Sequence, residues 1–268
     1  AACTAAEVGC NTFLLEKGNE LGGLASLISR IPAKNRLADF PHYLMHRAEQ
    51  LENLYIFKNT EGTPENIRKF HPNIIVSSTG SAPLLPPITG LKDRIDNENY
   101  NIYSILGMIS HINDFPKDLE GKKVVVVGGG AVGLDVVEFF ADRNADISIV
   151  EMMDQIGRDL DPVSKNDTKT MMKKHNVHQL TKTALLEVKD SSFLVKGDGE
   201  PYELPFEYGF VCLGMRAQGQ LYQSLTEEFS SEDVEIMNIG DSQRARRIID
   251  GTQEGRNILT ILEQKGYL

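Results

Sequence analysis

The sequence contains no tryptophan and only three cysteines, Cys3, Cys10 and Cys212, far apart and odd in number. With no CxxC it encodes neither a redox-active disulfide nor an iron–sulfur site, and its thiols are expected to be reduced and structural. No apolar run approaches the ~18 residues that a membrane span needs, and no signal-peptide pattern is visible. A cytoplasmic protein with no membrane partner is therefore expected. Cations are also scarce: 28 Lys and Arg stand against 38 Asp and Glu, a formal net charge of −10. That balance excludes nucleic acid as a partner. No Ser/His/Asp set or carboxylate pair suggests acid–base or nucleophilic chemistry. His42 and His46 lie at i, i+4 without a third ligand, and His175 and His178 flank a helix end. No catalytic side chain and no metal site are expected.

Against these absences stands one well-formed stretch, KVVVVGGGAVGLDVVEFFADRNADISIVE, residues 123–151. The β-branched run Val124–Val127 has the character of a buried parallel strand. Gly128, Gly130 and Gly133 follow at fingerprint offsets. Leu134, Val137, Phe140 and Ala141 share one helix face. A second strand, Ile147–Val150, ends at the acid Glu151, near the ~20-residue spacing of a dinucleotide fingerprint. Gly128 permits a tight turn, Gly130 lets backbone approach a pyrophosphate, and Gly133 lets helix pack on strand. Gly128, Gly129, Gly130, Ala131, Val132 and Gly133 form the expected cradle at a helix N-terminus. Glu151 can accept both ribose hydroxyls and would repel a 2′-phosphate. Met152, Met153 and Asp154 add no cation, so NADH is expected over NADPH.

With 268 residues, 41% hydrophobic and 25% charged, the chain has the composition of a globular protein of one large or two ordinary domains. Residues 1–23 look like the remainder of a second dinucleotide unit. Ala1, Ala2, Ala5 and Ala6 have the spacing of a helix packed on a sheet, Gly9 ends it, and the strand Phe13–Leu15 closes at Glu16, with Lys17 beside it. The expected first strand and glycine turn would lie before Ala1, and the chain is expected to be an N-terminally truncated fragment. Residues 24–38 have no regular pattern. A helix is expected over Phe40–Asn53, a strand over Leu54–Lys58, a plain connection over 60–73 and a strand over Asn73–Ser78. That strand leads to Thr79 and Gly80, whose backbone could lie close to an adenine or flavin, and to a proline-rich crossing.

Further along, a polar stretch reaches about Tyr103 and a helix spans Ile105–Asn113. After the fingerprint, a helix is expected over Pro162–His175. A meander of short strands follows: Val177–Leu180, Ala184–Val188, Phe193–Lys196 and Tyr202–Leu204. Phe210–Leu213 returns as a parallel strand ending at Gly214. Val234–Ile239 is a strand ending in Gly240 and Asp241. Arg244, Arg246 and Arg247 precede a helix over Ile248–Glu263 and could meet phosphate, a partner domain or solvent.

The segments LLEKGNELGG, SSTGSAPLLPPITG, VVVVGGGAVGLDVVEFF, VCLGMRA and NIGDSQRARRIIDGTQEG occur in order. Together they resemble the C-terminal half of the 2-enoate reductase, 2,4-dienoyl-CoA reductase and trimethylamine dehydrogenase family. The last segment departs from that pattern at Ala245, where proline is usual, and Gly251, where alanine is usual. The resemblance implies an α/β fold of two Rossmann-like dinucleotide-binding domains, the NAD domain inserted in the FAD domain. It places FAD on residues 1–102 and 222–268 and NADH on 103–221. Glu16 would hold the FAD ribose, Gly22 and Gly23 would lie near the flavin, and Asp241 would hold the ribityl chain. Gly128, Gly130, Gly133 and Glu151 would hold NADH. In such proteins an N-terminal TIM barrel, here the implied partner domain, carries FMN, an iron–sulfur cluster and the substrate pocket.

The expected function is an electron-entry module that takes hydride from NADH onto FAD for a barrel that reduces an activated alkene. The alternative is a structural module that holds ADP without transferring electrons. A disulfide reductase or stand-alone NADH oxidase would need a reactive cysteine, and Cys3 and Cys10 lie in the wrong elements for one. A homo-oligomer is open on sequence alone.

Overall fold

The strongest sequence signal becomes the centre of a parallel sheet. The computed structural model describes residues 1–268, and the chain divides into two compact units. One comprises residues 30–33 and 83–214, the other 1–29, 34–82 and 215–268.

In the 83–214 unit, Lys123–Val127 lies in a five-stranded, all-parallel sheet. The strand order is Ile102–Tyr103, Tyr208–Val211, Lys123–Val127, Asp146–Val150, His178–Leu180. A central parallel strand is covered on both faces, which explains an unbroken valine run rather than alternation. Val124 through Val127 are all buried. Helix Ala131–Ala141 packs on the sheet through Leu134, Val137, Phe140 and Ala141, all buried. Phe115, Phe139, Phe140, Tyr208 and Phe210 form a connected ring cluster beside it. Truncating the fully buried Phe140 should cost about 3–5 kcal/mol. A separate antiparallel sheet of Ala184–Val188, Ser192–Lys196 and Tyr202–Pro205 buries Leu185, Val188, Phe193 and Val195.

The other unit holds the same kind of strands in a different state. Thr12–Leu15 pairs in parallel with Leu54–Phe57, and Ile74–Ser77 pairs in parallel with Glu235–Asn238. No ladder joins the two pairs. One segment nonetheless contacts both pairs. The segment after helix Pro64–Arg68 sets Phe70 against Phe13 and Phe57, while Ile67 packs with Ile75, Leu225 and Phe229. On the other face, Leu14 and Ile56 pack with Ala6 and Ala48 of helices Ala2–Glu7 and Asp39–Glu49. Helix Ala2–Glu7 in turn packs on the long C-terminal helix Ile248–Gln264.

Several expected elements are corrected. Residues 24–38 are not irregular: they hold helix Gly23–Ile28 and a 3₁₀ run, Pro32–Ala38. The next helix stops at Glu49, short of Asn53, whose side-chain amide instead donates to the carbonyls of Ala6 and Cys10. The 60–73 connection contains helix Pro64–Arg68, with Thr63 Oγ1 accepting from the Asn66 N–H and proline at the first turn. The helix expected over Ile105–Asn113 ends at Ser110, and the polar stretch before it contains helix Leu91–Arg94. His178–Leu180 extends the parallel sheet instead of joining the meander. Ser81–Pro83, expected as part of a crossing, forms a ribbon with Met215–Ala217. No helix is long and apolar enough to cross a membrane.

Candidate functional site

The three fingerprint glycines occupy three different environments. Gly128 turns at φ +109°, and an added Cβ would stand 2.1 Å from the Cys212 carbonyl oxygen. A Cβ on Gly133 would stand 1.9 Å from the Gly128 carbonyl oxygen. These two positions are closed by backbone. Gly130 is open: a Cβ there meets nothing within 4 Å. It is also the N-cap of helix Ala131–Ala141, with no side-chain cap. The first intrahelical bond is Leu134 N–H to the Gly130 carbonyl, so the N–H groups of Ala131, Val132 and Gly133 have no helical acceptor. The result is an uncovered cluster of donors at the positive end of a helix, with room for a phosphate to approach.

Glu151 is fixed at the same place. Its Oε2 accepts from the Gly129 N–H at 2.7 Å and its Oε1 from the Met153 N–H at 2.7 Å. The carboxylate bridges the glycine turn and the loop after its own strand, and each oxygen keeps acceptor capacity for a hydroxyl. The Gln155–Asp159 loop, which carries no fingerprint residue, folds onto the turn. Gly157 donates to the Gly129 carbonyl at 2.7 Å, and Ile156 lies where a Gly129 Cβ would touch it. Gly157 has φ +65°. A glycine directly after an apolar residue, Ile156-Gly157, was the available sequence signal for this lock.

The remaining predicted residues fall into two groups. Thr79, Gly80, Gly240 and Asp241 come together at the ends of paired strands. Asp241 Oδ2 accepts from Ser81 Oγ and Oδ1 from the Arg246 N–H, both at 3.0 Å. The Gly240 N–H is held by Glu254 Oε2, whose other oxygen is held by Arg246. These bonds depress the Glu254 pKa below its ordinary value, the Gly240 N–H contributing most. Glu254 and Ser81 were not anticipated from sequence. Thr79 donates its hydroxyl to the Gln218 carbonyl at 2.5 Å. Gly80 and Gly240 have positive φ and open space where a Cβ would go. Glu16 and Lys17 stand apart from this group. Glu16 Oε1 accepts from the Gly18 N–H in its own turn, and Lys17 pairs with Glu61. Gly23 is open, but Gly22 is closed by Ser26 and Pro41. Gly214, at φ +103°, is open and accepts from the Leu84 N–H.

Of the three arginines after Asp241, Arg246 pairs with Glu254 and Arg247 with Asp250, capping the C-terminal helix. All three cysteines are free. Burial pushes the Cys212 thiol up to about 12, leaving it protonated and unreactive.

A parallel sheet with a glycine turn at a helix N-terminus, an acid fixed against that turn and a second set of open glycines at strand ends defines a Rossmann-like nucleotide-binding oxidoreductase fold. Residues 49–237 match the family described as pyridine nucleotide-disulphide oxidoreductase, and the chain belongs to that family. An NADH oxidase from Thermoanaerobacter brockii is 26% identical over 256 residues, covering 95% of this chain and 38% of its own. A metal reductase from Desulforamulus reducens is 26% identical over 292 residues, covering 96% and 41%. Among solved structures, a 2-naphthoyl-CoA reductase complex superposes with TM-score 0.79 at 22% identity, covering 95% of this chain and 37% of that one. Histamine dehydrogenase from Rhizobium sp. 4-9 gives 0.78 at 15% identity, covering 96% and 39%. The chain thus spans about two fifths of the length of these curated relatives.

Proposed function

We propose that the chain is the NADH- and FAD-binding electron-entry module of a longer flavin oxidoreductase. The observation that carries this reading is the open Gly130 between two backbone-closed glycines, at the uncapped start of helix Ala131–Ala141. That cradle fits the pyrophosphate of NADH, with the N–H groups of Ala131, Val132 and Gly133 as donors and Glu151 on the ribose diol. A carboxylate already pinned by two N–H groups cannot swing away from a 2′-phosphate, so NADH is preferred to NADPH.

FAD is assigned to the other unit, with Glu16 near its ribose, Gly80 and Gly240 giving close backbone approach, and Asp241 near the ribityl chain. The fit there is partial: the acid and the open glycines are in place, but no glycine turn leads into helix Ala2–Glu7 within the 268 residues. When both nucleotides are bound they supply hydride transfer, chemistry that relies on ring stacking and not on a side-chain acid or base. The side chains' part is to bind and orient. The relatives' greater length supports an additional domain, and an FMN-bearing barrel that reduces an activated alkene suits the 2-naphthoyl-CoA reductase likeness.

The reading is tested by calorimetric titration of the 268-residue chain with NADH and NADPH, in parallel with Gly130→Val. Saturable NADH binding that the variant loses, with FAD binding weak or absent, is expected. NADH binding that Gly130→Val leaves unchanged would overturn the site. For the parent protein, an FAD absorbance that does not bleach under anaerobic NADH would overturn the electron-entry role.

A further inference from the structure

The loop between Glu151 and helix Pro162–Lys174 does something that the dinucleotide assignment leaves unused. Gly128, Gly129 and Gly130 stand in succession in the turn, and a run of glycines has more backbone freedom than any other. A loose turn would have to be ordered at each binding event, at a cost in affinity. Instead, the middle glycine is held from both sides. The Gly129 N–H donates to Glu151 Oε2 at 2.7 Å, and the Gly129 carbonyl accepts from the Gly157 N–H at 2.7 Å. Both partners come from one stretch of chain, which is itself anchored. The Glu151 carbonyl accepts from the Thr183 N–H at 2.9 Å and the Met153 carbonyl from the Lys182 N–H at 2.8 Å. At the far end, Asp161 caps the following helix through the N–H groups of Val163 and Ser164.

Gly157 is the unusual member of this stretch. It is the only buried residue between Glu151 and Asp161. Its φ of +65° is one that side-chain-bearing residues rarely adopt. The effect of its bond follows from peptide geometry. Every peptide bond in the chain is trans, so the Gly129 C=O and the Gly130 N–H point in opposite directions within one rigid plane. Tying the carbonyl to Gly157 therefore turns the Gly130 N–H away from the loop. That N–H has no acceptor in the chain, and a Cβ on Gly130 would meet nothing within 4 Å. It adds a fourth unpaired donor to those of Ala131, Val132 and Gly133.

We propose that Gly157 is a positioning residue for the dinucleotide: through the Gly129 carbonyl, its N–H sets the Gly129–Gly130 peptide plane and holds the turn in its binding geometry before the pyrophosphate arrives. The proposal rests on the dinucleotide reading above and adds to it a residue outside the glycine fingerprint.

The test measures NADH and ADP-ribose affinity by calorimetry for the intact chain, Gly157→Val and Gly157→Asn. A β-branched valine is strained in the left-handed conformation, whereas asparagine visits it readily. Gly157→Val is expected to weaken both ligands by the same factor, roughly tenfold, because both carry the pyrophosphate. Gly157→Asn should recover most of that loss. Affinity of the folded protein is a readout that a role in stability alone would leave unchanged. Hydrogen exchange on the unaltered chain is independent of how any variant folds: without nucleotide, the Gly157 amide should exchange roughly a hundredfold more slowly than the Arg158 amide. An unaltered chain that does not bind NADH would overturn the dinucleotide reading and this proposal with it. NADH binding that Gly157→Val leaves unimpaired, equal losses in the two variants, or a fast-exchanging Gly157 amide would overturn the proposal alone.

Discussion

The chain contains two acids, each closing a second strand, and they behave differently. Glu151 reaches across to the Gly129 N–H and ties two loops together. Glu16 reaches only two residues along its own turn, to Gly18. The sheets differ in the same way. Five strands run without a break in one unit, whereas the other has two parallel pairs with no ladder between them. The acid that faces a glycine turn has a distant partner, and the other bonds only within its own turn. A fingerprint acid is therefore informative only together with the turn it faces.

The comparison can be broken most severely at Gly133. Gly133→Ala places a Cβ against the Gly128 carbonyl, and neither backbone can yield. Loss of more than about 3 kcal/mol of stability is expected in chemical denaturation, and a smaller loss would mean the helix can move off the strand. Gly130→Val is the counterpart: stability lowered by no more than about 1 kcal/mol, the cost of an apolar N-cap, because nothing lies within 4 Å of its Cβ, but NADH affinity lowered roughly a hundredfold, about 2.7 kcal/mol, in calorimetry. A mutant that melts early would show that Gly130 is structural. Glu151→Gln keeps one acceptor and loses the second, which should cost about 1–2 kcal/mol and narrow the preference for NADH over NADPH. Glu16→Gln, by contrast, should change stability by less than about 0.5 kcal/mol, since its bond closes only a local exposed turn.

The smallest effect is with pH. The Glu254 pKa in the folded protein lies below its ordinary value of 4.5. Its bonds to Gly240 and Arg246 therefore stabilise the fold above that pH and are lost as pH falls through the lowered pKa. Glu254→Gln should flatten the acid limb of a stability-against-pH curve. An unchanged limb would show that other carboxylates set it.

Most of the 83–214 unit was legible because its signals are local. Four valines, three glycines and an acid lie within one βαβ stretch, and each has a backbone reason to be there. What was not legible depended on distant partners. His178–Leu180 alternates weakly, and only its place beside Asp146–Val150 decides which sheet it joins. The Thr79 hydroxyl meets the Gln218 carbonyl, far along the chain, a partner that no local pattern shows. The helices at 23–28 and 64–68 are too short for a 3.6-residue pattern to show. Glu254 lies in a helix whose sequence gives no sign that one side chain turns back to hold Gly240. The fold was thus clearer in the sequence than the side-chain network that supports it.

The ribbon of Ser81–Pro83 and Met215–Ala217 has a consequence for how such a chain can be built and rebuilt. The backbone enters the 83–214 segment and leaves it on hydrogen-bonded neighbours, and the Leu84 N–H meets the Gly214 carbonyl just inside. To the host, more than a hundred residues are equivalent to a hairpin loop whose ends are already clasped. Since loop-closure entropy rises only with the logarithm of length, such an insertion hardly strains its host, and the clasp is a natural seam for exchanging one nucleotide module for another.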